Sequence, residues 1–316
     1  MLSSFFVRFS FLLILIFPHL LLGVEDSPWN HPKHLTILGS PFIDVVLDVD
    51  PTFIQKCCLE IGGIHPVESS KIKDIFLLYK ETFPETHIVT QRKEPLNLSQ
   101  EQLSGLGFVC RRNDEIPFDG NDFFSNGPVL QQLDQIRLIL HSSPYKDTLV
   151  YSFQRAKTFF QKKWFFEILS LEGYTLIDSQ LMLYEDCIEK VLKEAKNRRN
   201  KILMDLGDLK IITTFQSRIW SFLDQVDVLF LSEDSGKALV EIPDITRAVD
   251  VLAHVVPTLF VYSHDSIQII QKKQKILHRC NRESLSQLIP GFLFGYMNQG
   301  SLEYCFRCVQ SLSEEV

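Results

Sequence analysis

The stretch from Val226 to Met297 constrains this chain more than any other. Val226-Asp227-Val228-Leu229-Phe230-Leu231 is an apolar run, followed by the turn-forming Ser232-Glu233-Asp234-Ser235-Gly236. A helical pattern comes next, then a second apolar run, Pro257-Thr258-Leu259-Phe260-Val261-Tyr262. Short continuous apolar runs separated by helix-length segments predict parallel strands, covered on both faces. The stretch closes on Leu288-Ile289-Pro290-Gly291-Phe292-Leu293-Phe294-Gly295-Tyr296-Met297, where Gly291 and Gly295 stand four apart on one helix face. Without side chains there, the helix can approach either a ligand or a neighbouring element closely.

The same theme recurs upstream. Leu35 to Gly39, Phe42 to Val49, Asp147 to Phe153, Phe165 to Leu171 and Ile202 to Asp208 read as strands, and Leu103 to Cys110 as a weaker one. Asp50-Pro51 opens a short helix with proline at its permitted first position. Ser69 to Tyr79 is a clearer helix, with Ile72, Ile75, Phe76 and Tyr79 on one side. Val129 to Leu140 has a helix-like pattern, and Ile219 to Leu223 reads as a short helix. Leu181 to Asn200 is amphipathic and ends in Lys196, Arg198 and Arg199, as the helix dipole favours.

A chain of 316 residues, 45% hydrophobic, can bury one large α/β domain with a small appendage, or two ordinary domains. Its net charge of -7 argues against a general nucleic-acid binder, and Arg92-Lys93, Arg111-Arg112 and Gln271 to Lys275 are too short to be more than solvated faces or turns. Seven cysteines, an odd number, make no disulfide framework. Cys305 and Cys308 form a C-x-x-C in a helical stretch with no second pair, which fits buried small side chains rather than a metal site. Ser27 to Pro32 is a linker by its proline and turn content.

Residues 1–23 stand apart. Arg8 is the only charge, and Phe9 to Leu22 is nearly all apolar, which gives the outline of a signal peptide. That core falls short of the roughly 18–20 residues of a membrane span, Pro18 interrupts it, and no small-x-small cleavage pattern follows. Three readings stay open: a signal or anchor that exports or tethers the chain, a packed extension, or a start assigned too early. The first makes the protein exported or membrane-tethered, with membrane contact through residues 1–23 alone; the others leave it cytoplasmic.

Several motifs resemble those of the ribokinase/adenosine-kinase family, the PfkB-type carbohydrate and nucleoside kinases. Gly39-Ser40-Pro41-Phe42-Ile43-Asp44 matches the opening Gly-x-x-x-x-Asp, whose carboxylate accepts substrate hydroxyls. The family's Gly-Gly-x-x-x-Asn falls on Val89 to Asn97, where the glycines are missing and Asn97 alone would meet a hydroxyl. Asp205-Leu206-Gly207 sits where Asp-x-Asn would be, and Ser232 and Ser235 replace the Asn and Glu of Asn-x-x-Glu. That leaves Glu233 or Asp234 as a displaced magnesium carboxylate. Tyr262 to Ser266 lacks the expected nucleotide-side glycine.

The largest departure is at the catalytic loop. Gly-Ala-Gly-Asp falls on Gln287-Leu288-Ile289-Pro290, placing proline where the base would stand, at the expected start of a helix. Proline neither titrates nor donates an N–H.

The resemblance implies a Rossmann-like three-layer α/β/α sandwich, ribokinase-like, over residues 33–316, with a small or eroded lid. Residues 1–23 are a signal-like or anchor segment and 24–32 a linker. Three functions follow. The first is a non-catalytic pseudokinase that binds a sugar or nucleoside ligand or a protein partner. The second is an active ATP- and Mg²⁺-dependent kinase with a displaced base, using Asp44 and Asn97 at the substrate and Glu233, Ser263 and Gly291 on the nucleotide side. The third is a structural or interaction protein without a small-molecule ligand.

Overall fold

The structure is a computed structural model and describes residues 33–39, 43–84, 89–91, 103–104, 106–112, 136–144, 147–152, 169, 171–184, 186–272, 274–279, 285–298 and 301–313. Among the described residues, thirteen strands fall into two sheets. The main sheet contains β1 (Lys33–Leu38), β5 (Phe108–Arg112), β8 (Tyr174–Asp178), β9 (Lys201–Leu206), β10 (Val228–Ser232), β11 (Thr258–Tyr262), β12 (Ser266–Gln271) and β13 (Gln274–Arg279). Its order is β13-β12-β11-β10-β9-β8-β1-β5, parallel from β5 to β11, with β12 and β13 added as an antiparallel hairpin.

Two helical layers cover it, because its strands are apolar on both faces. One layer holds α3 (Cys187–Asn197), α4 (Leu209–Trp220), α5 (Glu233–Val240) and α6 (Ile245–Ala253), whose buried residues join Leu229, Leu231, Leu259 and Val261. The other holds α7 (Leu285–Met297) and α8 (Leu302–Ser313), packed on Leu203, Val228, Phe230 and Phe260. Phe230, Phe260 and Phe292 form a ring cluster there, with centroids 5.1–5.7 Å apart. The expected α/β/α sandwich is present.

A second sheet, ordered β3-β7-β6-β2-β4, is built from β2 (Ile43–Asp48), β3 (Ile64–Val67), β4 (Val89–Gln91), β6 (Ile136–His141) and β7 (Thr148–Ser152). This is the region expected as a small or eroded lid. It is small beside the eight-stranded sheet, yet it has its own core. Val45, Leu47, Ile136, Leu138, Leu140 and Val150 pack on α1 (Pro51–Lys56) and α2 (Ser69–Thr82). Pro51 opens α1 as expected, with Asp50 capping it through Phe53 N at 2.8 Å. The buried face of α2 is Ile72, Ile75, Phe76 and Tyr79, the stripe read from the sequence.

Three segments differ from expectation. Residues 136–141 form a strand, not the end of a helix, because pairing with both β2 and β7 outweighs the helical pattern of Val129 to Leu140. Leu181 to Asn200 is not one helix: Ser179–Leu183 is a 3-10 turn, and α3 starts only at Cys187 after Asp186 turns left-handed (φ 56°). The helix expected over Ile219 to Leu223 is the tail of α4, which ends at Trp220. Most of the strand expected over Phe165 to Leu171 lies outside the described residues. Among the described residues no helix is long and apolar enough to cross a membrane.

Gly295 meets an element, not a ligand. A Cβ on it would lie 2.6 Å from Cys305 Cα, so α7 and α8 touch backbone to backbone there. Replacing glycine by alanine inside a helix gains up to about 1 kcal/mol, but overpacking against backbone costs roughly 1–3 kcal/mol. Gly295→Ala is therefore expected to lower stability by about 1–2 kcal/mol, seen as a lower urea midpoint at unchanged slope.

At the end of β6, His141 Nδ1 lies 2.7 Å from Asp147 Oδ1. That hydrogen bond, against a little burial and aided by the charges of Asp147 and Asp48, raises the imidazole above its ordinary 6.5. The folded state thus holds the proton more tightly, and the pair stabilises fully below 6.5 and fades as pH rises through the raised value. The melting-temperature gap between wild type and His141→Ala should be open in mild acid and closed in alkaline buffer.

Candidate functional site

In an open α/β sheet, ligands bind beyond the carboxyl ends of the strands, where strand order reverses. Here the reversal lies between β1 and β8, since the chain runs from β1 outward to β5 and later back along β8, β9, β10 and β11. Asp178 ends β8 at that point and is 4% exposed. The chain also leaves β1 there to enter β2, which carries Asp44.

Period-2 alternation turns Val45 and Leu47 towards α1 and α2, and Asp44 to the opposite face. Asp44 is directly opposite Arg137 in β6, and Arg137 is opposite Tyr151 in β7. The Arg137 guanidinium grips the carboxylate with both arms, Nε to Oδ1 at 2.7 Å and Nη2 to Oδ2 at 2.6 Å. Both residues are buried, at 3% and 2% exposure. Burial would lower the guanidinium, but the Asp44 charge and hydrogen bonds, with help from Tyr184 and Asp178, leave it above its usual value. Tyr151 donates its hydroxyl to Leu183 O at 3.0 Å and meets the Tyr184 ring edge-on. Burial pushes that hydroxyl up to about 12. Among the described residues, Arg137 Nη1 and Gln180 Oε1 are buried and find no hydrogen-bond partner.

Asp44, expected as a substrate carboxylate, has each of its oxygens accepting from Arg137. Asn97 lies outside the described residues. Asp178, whose Oδ1 accepts from Gln180 N at 2.8 Å, was not singled out by sequence reasoning, nor was Arg137. The available signal was a lone charge inside the aliphatic run Ile136-Arg137-Leu138-Ile139-Leu140; a helical reading hid it.

The ends of β9, β10 and β11 are occupied by this chain's own groups. Tyr262, at the end of β11, reaches past β10 to Gly207, where a Cβ would come within 2.6 Å of its hydroxyl. Burial, with the Asp205 charge, pushes that hydroxyl upward. Asp205 Oδ1 accepts from Gly207 N at 2.9 Å. Ser232 caps α5 by accepting from Ser235 N at 3.1 Å, and donates to Ser235 Oγ at 2.8 Å. Glu233 follows in the first turn, 3.9 Å from Lys237 Nζ, with Asp234 at 3.6 Å from the same ammonium. Ser263 turns β11 into β12, its hydroxyl donating to Asp265 Oδ1 at 2.7 Å and facing Ser266 Oγ at 2.9 Å. Gly291 is buried in α7.

Pro290 is not at a helix start. The helix begins at Leu285, so the four residues aligned with the phosphate loop are coiled into it, and Leu288 and Ile289 are 0% and 2% exposed. Helix N–H groups are free only over the first four residues, which here include Gln287 and Leu288 but neither Ile289 nor Pro290. In a helix beginning at Leu285, the Ile289 N–H is already committed to an intrahelical acceptor. Pro290 has none to offer. Two of the four aligned residues, Ile289 and Pro290, thus have no N–H to offer a ligand, and Lys237 lies within ion-pair distance of both Glu233 and Asp234.

No model of a protein family matches the chain, and no curated protein matches it either. Solved structures do. An adenosine kinase from Sinorhizobium meliloti superposes with a TM-score of 0.59 at 15% identity, over 90% of this chain and 93% of that one. A probable sugar kinase from Rhizobium etli gives 0.59 at 12% identity, over 89% and 92%. Adenosine kinase from Anopheles gambiae, in complex with P1,P4-di(adenosine-5) tetraphosphate, gives 0.57 at 13%, over 90% and 95%.

Removing one member of a buried ion pair strands the other and costs about 3–5 kcal/mol, whereas replacing both with apolar groups is often neutral. Asp44→Ala should thus destabilise by that amount in urea melts, and Asp44→Ala with Arg137→Met should recover most of it.

With the geometry and these likenesses together, the chain has the ribokinase-like fold of adenosine and sugar kinases.

Proposed function

We propose that this protein is a non-catalytic relative of the sugar and nucleoside kinases, acting by binding a ligand or a partner and not by moving phosphate. The observation that carries this reading is Pro290 inside α7, which has no N–H to give, beside Ile289, whose N–H is taken up within the helix. Tyr262 lying against Gly207 supports it, because the tyrosine fills space beside the strand ends. General-base chemistry also needs a titrating group at the reacting hydroxyl, and the position aligned with that base is a proline.

The junction between the sheets is where we place a small ligand. Asp44, Arg137 and Asp178 sit there together, and Arg137 Nη1 and Gln180 Oε1 offer a donor and an acceptor. A neutral compound bearing hydroxyls, of the sugar or nucleoside class, suits that pairing.

Calorimetry with adenosine, ribose and Mg-ATP, paired with an ADP-release assay, tests the proposal. Heat on addition of adenosine or ribose with no ADP formed is the expected result. ADP release that depends on the sugar or nucleoside would overturn it in favour of an active kinase with a displaced base. Silence with every compound would turn the reading towards a protein partner.

A further inference from the structure

Lys210 breaks a local rule. It is the second residue of α4, where the helix dipole is positive and acidic residues are favoured, and the first turn of α4 holds no acid of its own. The helix is capped instead by Asp208, whose Oδ1 accepts from Lys210 N at 3.0 Å and Ile211 N at 3.3 Å. A misplaced cation in an otherwise well-capped helix calls for a compensating contact.

The contact is in the other sheet. Lys210 Nζ donates to Gly63 O at 3.0 Å and also to Asp147 O. Those two carbonyls belong to the joint between β3 and β7. Gly62 N donates to Thr148 Oγ1 at 2.8 Å, and Leu149 N donates to Gly63 O at 3.0 Å. Gly62 is left-handed (φ 77°), and a Cβ on Gly63 would fall 3.0 Å from Glu60 O, so the pair makes the tight turn that exposes the Gly63 carbonyl. Two further contacts tie the same edge to the main sheet. Tyr151 donates to Leu183 O at 3.0 Å, and both Tyr151 and Ile64 pack on the core cluster that contains Leu181, Met182 and Tyr184.

We propose that Lys210 is a latch that holds the second sheet shut on the main sheet without any ligand, with Tyr151 as the second fastening point. The lysine's flexible stem and compact ammonium suit the role, since it can meet two carbonyls at once. Closure is then a property of the folded chain, and a small molecule at the junction does not drive it.

Hydrogen exchange on the full chain tests this, with peptides from β3 and β7 followed beside those from β9 and β10 as an internal reference. In the unliganded wild type, β3 and β7 should be protected to a degree similar to β9 and β10. Lys210→Met keeps the stem and removes the donors, so exchange at β3 and β7 should rise about tenfold, in line with loss of charge-assisted hydrogen bonds, while β9 and β10 stay unchanged. Tyr151→Phe should move the same peptides in the same direction. Fast exchange of β3 and β7 in the wild type would overturn the latch, as would an equal rise in all four strands, which reports general destabilisation. No change in Lys210→Met would overturn it too.

Discussion

The bidentate pair between Asp44 and Arg137 is the contact on which the rest of this structure turns. Two charges with almost no access to water must meet in good geometry, or the one left alone costs about 3–5 kcal/mol. Their meeting fixes β2 against β6 in a single register, because a one-residue slip of either strand would send its charge into the apolar face that packs on α1 and α2 and strand the other. It also fixes which face of the second sheet looks towards the main body, and so brings Tyr151 against Tyr184 and Leu183.

Around that pair the molecule closes on itself. Where a ligand-binding α/β protein commonly presents glycines and free backbone groups, this chain presents side chains that already have partners. Tyr262 rests on Gly207, Ser232 on Ser235, and Ser263 on Asp265 and Ser266. Each is an ordinary local contact. Together they stabilise the strand ends through the chain's own atoms. Identities of 12–15% to kinases of the same fold show that very different side chains can build it.

The two glycines that first drew attention to α7 illustrate the limits of spacing. Their shared helix face was legible, and the choice between ligand and neighbour was not. Gly295 turns out to admit the backbone of Cys305, which makes it a packing residue between α7 and α8. Pro290 is the converse case. Proline is comfortable at a helix start, so the sequence placed the start beside it; the packing of Leu288 and Ile289 into the core beneath β9, β10 and β11 extends the helix past it. A proline inside a helix costs about 3 kcal/mol, and burying two large aliphatic side chains returns a similar or larger amount.

What the amino-acid sequence determined by itself was the set of elements whose apolar pattern is local. The runs that became β9, β10 and β11, the Pro51 start of α1, and the Ile72, Ile75, Phe76 and Tyr79 stripe of α2 all follow from neighbours within a turn or a strand. Those signals are strong because burying one face of an element is decided by residues a few positions apart. Tertiary structure alone decided the rest: that Ile136 to His141 is a strand, that Arg137 answers a carboxylate 93 residues away, and that Lys210 reaches carbonyls 147 and 63 positions off. Such contacts join distant parts of the chain, and their energy depends on burial and geometry that exist only once both sheets have formed.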